Sequence, residues 1–178
     1  MRMSSRPGDP LPPYSYVPGG PWPHPTRSEA GHLFGRPHEP TEPIEADRWT
    51  QSPLYLRGIE LFNAGYYWEA HETWEALWHA HGRGGATAAS IQALIKLAAA
   101  GVKIRERKPQ GARTHATRAA LLLERSRQHS GNDQLGLDLG QCITHCQEIV
   151  TNVPDDPRGR DAPVSRVFDF VLEPRKRE

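Results

Sequence analysis

Proline placement constrains this chain more than any other feature. Twelve of its 17 prolines fall within residues 1–53, four lie within 154–178, and only Pro109 stands between. Proline in a helix interior costs about 3 kcal/mol, because it lacks the amide donor and its ring strikes the preceding turn. Long helices are therefore confined to residues 54–153. In the leader, 17 of 53 positions are Pro or Gly, and Leu, Ile, Val and Phe together supply five. Such a segment buries too little apolar surface to offset its ordering entropy, and its Pro-rich runs favour extended backbone. It reads as a flexible leader or as a strap docking through Tyr14, Tyr16, Trp22 and Phe34. In the tail, Val167–Leu172 is the one apolar stretch, either a short strand or an extended segment lying on the folded part. Arg175–Glu178 reads as a solvated end.

Within 54–153 the punctuation predicts helices over Pro53–Asn63, Tyr66–His79, Thr87–Arg107, Gln110–Gln128 and Leu139–Asn152. Proline suits a first helical turn, Asn63-Ala64-Gly65 is a stop, and the third helix must end before Pro109. In the fifth, Leu139, Ile143, Cys146, Val150 and Val153 repeat at helical spacing. No segment alternates at period two, which argues against a sheet. The third helix is apolar over roughly half its circumference, with a polar strip of Gln92, Lys96, Lys103 and Arg107. That width places it centrally. The expected fold is all-α: a compact antiparallel bundle of about five helices, with a Pro-rich extended leader (1–53) and a short C-terminal tail (154–178).

Charge and cysteine content narrow the class. Lys and Arg number 22 against 21 Asp and Glu, so whole-surface attraction to nucleic acid or anionic lipid is not expected. Two cysteines exclude a disulfide-built miniprotein. No apolar run of about 20 residues and no signal-peptide h-region is apparent, so the expectation is a soluble cytoplasmic protein without membrane contact.

The chemistry concentrates in Tyr66–Trp78, which holds three of the five tryptophans. On a helical projection Trp74, Tyr67, Trp78, His71, Glu75, Trp68, His79 and Glu72 share one broad face, while Glu69 and Thr73 turn toward solvent. His71 and Glu75, at i and i+4, thus sit amid aromatics. Such a pair can act as acid and base near neutral pH or ligate a divalent metal. It can also be a hydrogen-bonded pair that only fixes packing. The zincin His-Glu-x-x-His is absent, because position 75 is Glu, and a ferritin-like set needs two Glu-x-x-His motifs.

The run Leu61-Phe62-Asn63-Ala64-Gly65-Tyr66-Tyr67-Trp68-Glu69-Ala70-His71-Glu72, with Glu75 and Trp78 following, resembles the signature of domain-of-unknown-function family 309. Ile91–Ala100 is similar to that family's second motif, with Ala93 in place of the usual Gly and Lys96 where a second Gln is frequent. The resemblance covers roughly residues 54–128. It implies a compact all-helical domain without an established activity, and it marks His71, Glu72, Glu75, Trp78 and Gln92 as candidate pocket residues. Gly58, Phe62, Gly65, Tyr67, Ala70 and Trp74 are also similar in spacing to one tetratricopeptide hairpin, but the three repeats an independent array needs are not present.

Residues 96–127 carry nine Lys or Arg and two Glu. Without interleaved aromatics this reads as a solvated basic face rather than a nucleic-acid site. Cys142 and Cys146, at i and i+4 on a helix, are packing thiols rather than a disulfide. His24, His32 and His38 are scattered possible donors to a metal.

Two functional expectations follow. The first is a non-enzymatic binding or scaffold module around an aromatic-lined His71/Glu72/Glu75 pocket, its partner a small molecule or a protein, homo-oligomers included. The alternative is a divalent-metal-dependent hydrolase. There His71, Glu75 and His79 are the candidate ligands, Glu72 shares the cluster, and a spare carboxylate activates water. One helix supplies at most two or three ligands, so His115 or His32 would have to add another.

Overall fold

The structure, a computed structural model, describes residues 6–36 and 40–176. His38 and the last two residues of the expected solvated end lie outside the described residues. After a short 3-10 turn at Trp49–Gln51 come α1 (Pro53–Asn63), α2 (Tyr67–Ala80), α3 (Gly85–Arg105), α4 (Pro109–Ser130), β1 (Asp133–Gln134), β2 (Leu137–Asp138) and α5 (Leu139–Thr151). The fold is all-α, a bundle of five helices, each packed against the next. The expectation of no sheet is corrected in one place. Gln134 pairs with Leu137 in a two-residue antiparallel ribbon across the α4–α5 connection. Leu135 and Gly136 form its turn at φ 55° and 75°, and strands this short have no room for alternation.

Local chemistry sets the helix ends. The Ser52 hydroxyl accepts from the Tyr55 amide at 3.3 Å, Pro53 opens α1, and Asp138 caps α5 by accepting from the Gln141 amide. Side-chain oxygens there satisfy amides that the first helical turn leaves free. Gly65 closes α1 at φ 90°, a conformation a side chain would strain.

Glycines also let the helices meet. A Cβ on Gly58 would collide with the Trp74 indole, and one on Gly101 would lie 2.6 Å from the Tyr67 ring. Trp74 is fully buried, and its Nε1 donates to the Tyr55 carbonyl. α3 is long and apolar enough by composition to pass for a membrane span, contrary to the expectation that no run is. Its apolar residues instead pack against α2 on one side and α4 on the other. The Ser90 and Ser126 hydroxyls bond at 2.7 Å between α3 and α4, and the Lys103 side chain packs over Gly111. Cys142 and Cys146 are free and buried, and burial pushes both thiols up to about 12.

Both Pro-rich ends lie on the bundle. Arg57 donates to the carbonyls of Asp9 and Pro10, and the Tyr66 hydroxyl donates to Pro12. Tyr14 and Val17 are buried, with Trp22 stacked on Tyr14 and Tyr16 edge-on to Trp68, whereas Phe34 is exposed. The tail crosses the bundle as extended backbone rather than a strand. Asn63 bonds both backbone groups of Leu172, and the Tyr67 hydroxyl accepts from the Val167 amide. Arg105, buried, anchors the same tail through Asp156 at 3.4 Å and the carbonyls of Gly159 and Ala162.

Candidate functional site: a three-helix groove

On α2, His71 Nδ1 lies 3.3 Å from Glu72 Oε1 and 3.8 Å from Glu75 Oε2. One ligand atom from each of the three falls within 4.8 Å of the others. The spacing is helical: His71 and Glu75 stack at i and i+4, and Glu72 is the adjacent neighbour. His71 Nδ1 is shielded from solvent yet has no hydrogen-bond partner. Nitrogen and carboxylate oxygen at this separation form a donor set for a divalent cation, so the His71/Glu72/Glu75 cluster can coordinate one.

α3 and α4 complete the surroundings. α2 and α3 run antiparallel, with the Tyr67 ring on Gly101. Five residues, about 7.5 Å, from that contact along each helix bring Glu72 level with Lys96, and Gln92 lies level with Ala76, beside Glu75. Gln92, Lys96, Ala99 and Lys103 are the partly exposed strip of an otherwise buried α3 face. They form the floor of a shallow groove. His115 on α4 forms part of the opposite wall. Its Nδ1 is buried without a partner. Burial, then the charges of Lys96, Lys103, Arg118 and His71, pull its pKa down to about 4, so the ring is neutral at physiological pH.

Other expected members separate from the cluster. His79 Nε2 is 3.8 Å from Glu75 Oε1, but its Nδ1 is turned to Arg83 at 2.9 Å and it stands outside the three-ligand group. The aromatic lining is a correction. Trp74 is core and Trp68 is covered by Tyr16 and His24 of the leader, while Trp78 lies under the Arg83 guanidinium at 5.3 Å. The rings thus form clusters beside the His/Glu group instead of walls around it. Two cavities among the described residues lie elsewhere, at the α3–α4 turn and between α5 and the tail. His24 Nδ1 accepts from the Thr26 and Arg27 amides, which occupies that nitrogen.

Glu69 is the largest departure. Expected in solvent, it is buried under the leader, accepting from the Ser15 hydroxyl at 2.8 Å and the Tyr16 amide at 2.9 Å. His32 Nε2 faces it at 3.6 Å, beyond hydrogen-bond length. Glu69 lies two residues from His71, about 200° around the helix, so His32 is on the wrong side to join His71. Burial raises the Glu69 carboxyl from 4.5 to about 7 and lowers His32 from 6.5 to about 4. Near pH 6 the two therefore meet as a neutral acid and a neutral imidazole. No pattern within α2 signals this, because the covering residues are 53 and 54 positions upstream.

No curated protein and no solved structure matches the chain. The family described as Domain of unknown function (DUF309) matches over residues 55–115, a span running from α1 through His115 and holding His71, Glu72, Glu75 and Gln92. Over this helical segment the chain is similar to the DUF309 family.

Proposed function

We propose that the domain is a divalent-metal-dependent hydrolase whose ion is held by His71, Glu72 and Glu75. The observation that carries this reading is the convergence of three ligand atoms within 4.8 Å around a shielded, unpartnered His71 Nδ1. Three protein ligands leave coordination positions for water or substrate. A divalent ion supplies a water acidic enough to ionise near neutral pH and polarises the bond to be cleaved. His115, neutral at pH 7, is placed across the groove to exchange a hydrogen bond with a bound group. Gln92 contributes a neutral amide to the floor, and the ligand is a small molecule.

Elemental analysis of protein purified without chelator, followed by Mn²⁺ and Zn²⁺ titration calorimetry, tests this. The expected result is about one equivalent of ion per chain, with affinity reduced at least about 100-fold in His71→Ala. A hydrolase screen with the loaded protein follows. Flat isotherms for the wild-type chain would sink the metal reading. A bound ion without hydrolysis of any ester or amide class would return the site to a binding module.

A further inference from the structure

The groove carries more positive charge than the metal cluster uses. We infer that the substrate of this site bears a phosphate group, held by Lys96 of α3 and Arg118 of α4 beside the ion; this rests on the metal reading above.

Register brings the two cations to one level. The Ser90–Ser126 hydroxyl bond and the packing of Lys103 over Gly111 fix α3 and α4 as an antiparallel pair. Stepping in from either contact sets Lys96 opposite residues 118–120. Glu72 reaches the same level from the other side, through the Tyr67–Gly101 contact. On α4, Gly111, His115, Arg118 and Leu122 follow one another at helical spacing, and all four are at least partly exposed. They face the Gln92, Lys96, Ala99, Lys103 strip. His115, between the two sets, feels the charges of Lys96, Lys103 and Arg118 from these helices and of His71 from α2.

The pairing pattern then selects the ligand. Lys103 is paired with Glu106, which Lys108 also contacts. Among the described residues, neither Lys96 nor Arg118 has an ion pair or a side-chain hydrogen bond. Glu72 and Glu75 balance a divalent ion, which leaves two cations uncompensated. That is the charge of a phosphate monoester dianion, and twice that of a carboxylate. Arg offers a planar fork to phosphate oxygens, and Lys adds a compact charge. An ion on the opposite wall completes a three-sided clamp.

Titration calorimetry at pH 8 and 100 mM NaCl tests the idea with three probes: Mn²⁺, phenylphosphonate as the dianion, and benzoate as the monoanion. The proteins are the full chain and a Lys96→Gln/Arg118→Gln variant, whose fold is checked by circular dichroism. The expected result is phenylphosphonate binding to Mn²⁺-loaded wild type, weakened about tenfold or more in the variant. Mn²⁺ affinity stays within about threefold, and benzoate binds at least about tenfold more weakly than phenylphosphonate. Phenylphosphonate affinity equal in the two proteins, or equal to that of benzoate, overturns the phosphate assignment while Mn²⁺ binding stands. A flat Mn²⁺ isotherm overturns the metal reading by itself, and the phenylphosphonate isotherms still decide whether Lys96 and Arg118 bind the anion.

Discussion

Glu69 shows how a single side chain reports on its cover. Its carboxyl receives two hydrogen bonds from the leader, which favour the charged form, yet burial outweighs them and lifts the pKa to about 7. A pKa raised by folding means the stabilising contribution is complete below the free value of 4.5 and is lost as pH rises through 7. His32, lowered to about 4, has the opposite sense: its contribution is complete above 6.5 and lost as pH falls through 4. Urea unfolding of wild type and Glu69→Gln at pH 5 and pH 8 separates the two. Relative to wild type, Glu69→Gln should gain on the order of 3 kcal/mol between those pH values. An unchanged difference would mean that the carboxyl is not desolvated in solution.

At the scale of elements, α2 is held between two glycines. Gly58 of α1 receives the Trp74 indole and Gly101 of α3 receives the Tyr67 ring, so both helix crossings are closer than any side chain allows. In an exposed helix Gly→Ala gains up to about 1 kcal/mol. Here the sign reverses, because the added methyl meets a buried ring that cannot move aside. Gly101→Ala should cost about 1–3 kcal/mol in chemical denaturation, and a gain would show that the α2–α3 crossing is looser than described. Hairpin spacing around Gly58 and Trp74 is legible in the sequence, since small and bulky residues recur at fixed offsets.

For the whole molecule, the Pro-rich ends act as straps over a bundle that α3 centres. The leader buries Tyr14 and Val17 and covers Tyr66 and Glu69. The tail inserts Val167, Phe168 and Leu172, with Phe168 stacked on Phe62. At about 1.5–3 kcal/mol for each fully buried large apolar side chain, removing residues 1–33 should lower stability by at least about 3 kcal/mol in urea unfolding. Amide exchange in α2 should accelerate as its cover is lost. Unaltered exchange in α2 would mean that the leader is not seated there.

The five helices, their ends to within two residues, and the His71/Glu72/Glu75 face were legible in the sequence alone. They depend on caps, proline geometry and 3.6-residue periodicity, which act within a few positions along the chain. What only tertiary structure decided depends on partners far apart in sequence. Ser15 and Tyr16 bury Glu69, which helical projection had turned to solvent. Trp74 is drawn away from His71 into the core by a glycine on another helix. The groove itself exists because α2 and α4 flank one strip of α3, and a helix periodicity states which face is apolar but never which neighbours will leave part of it open.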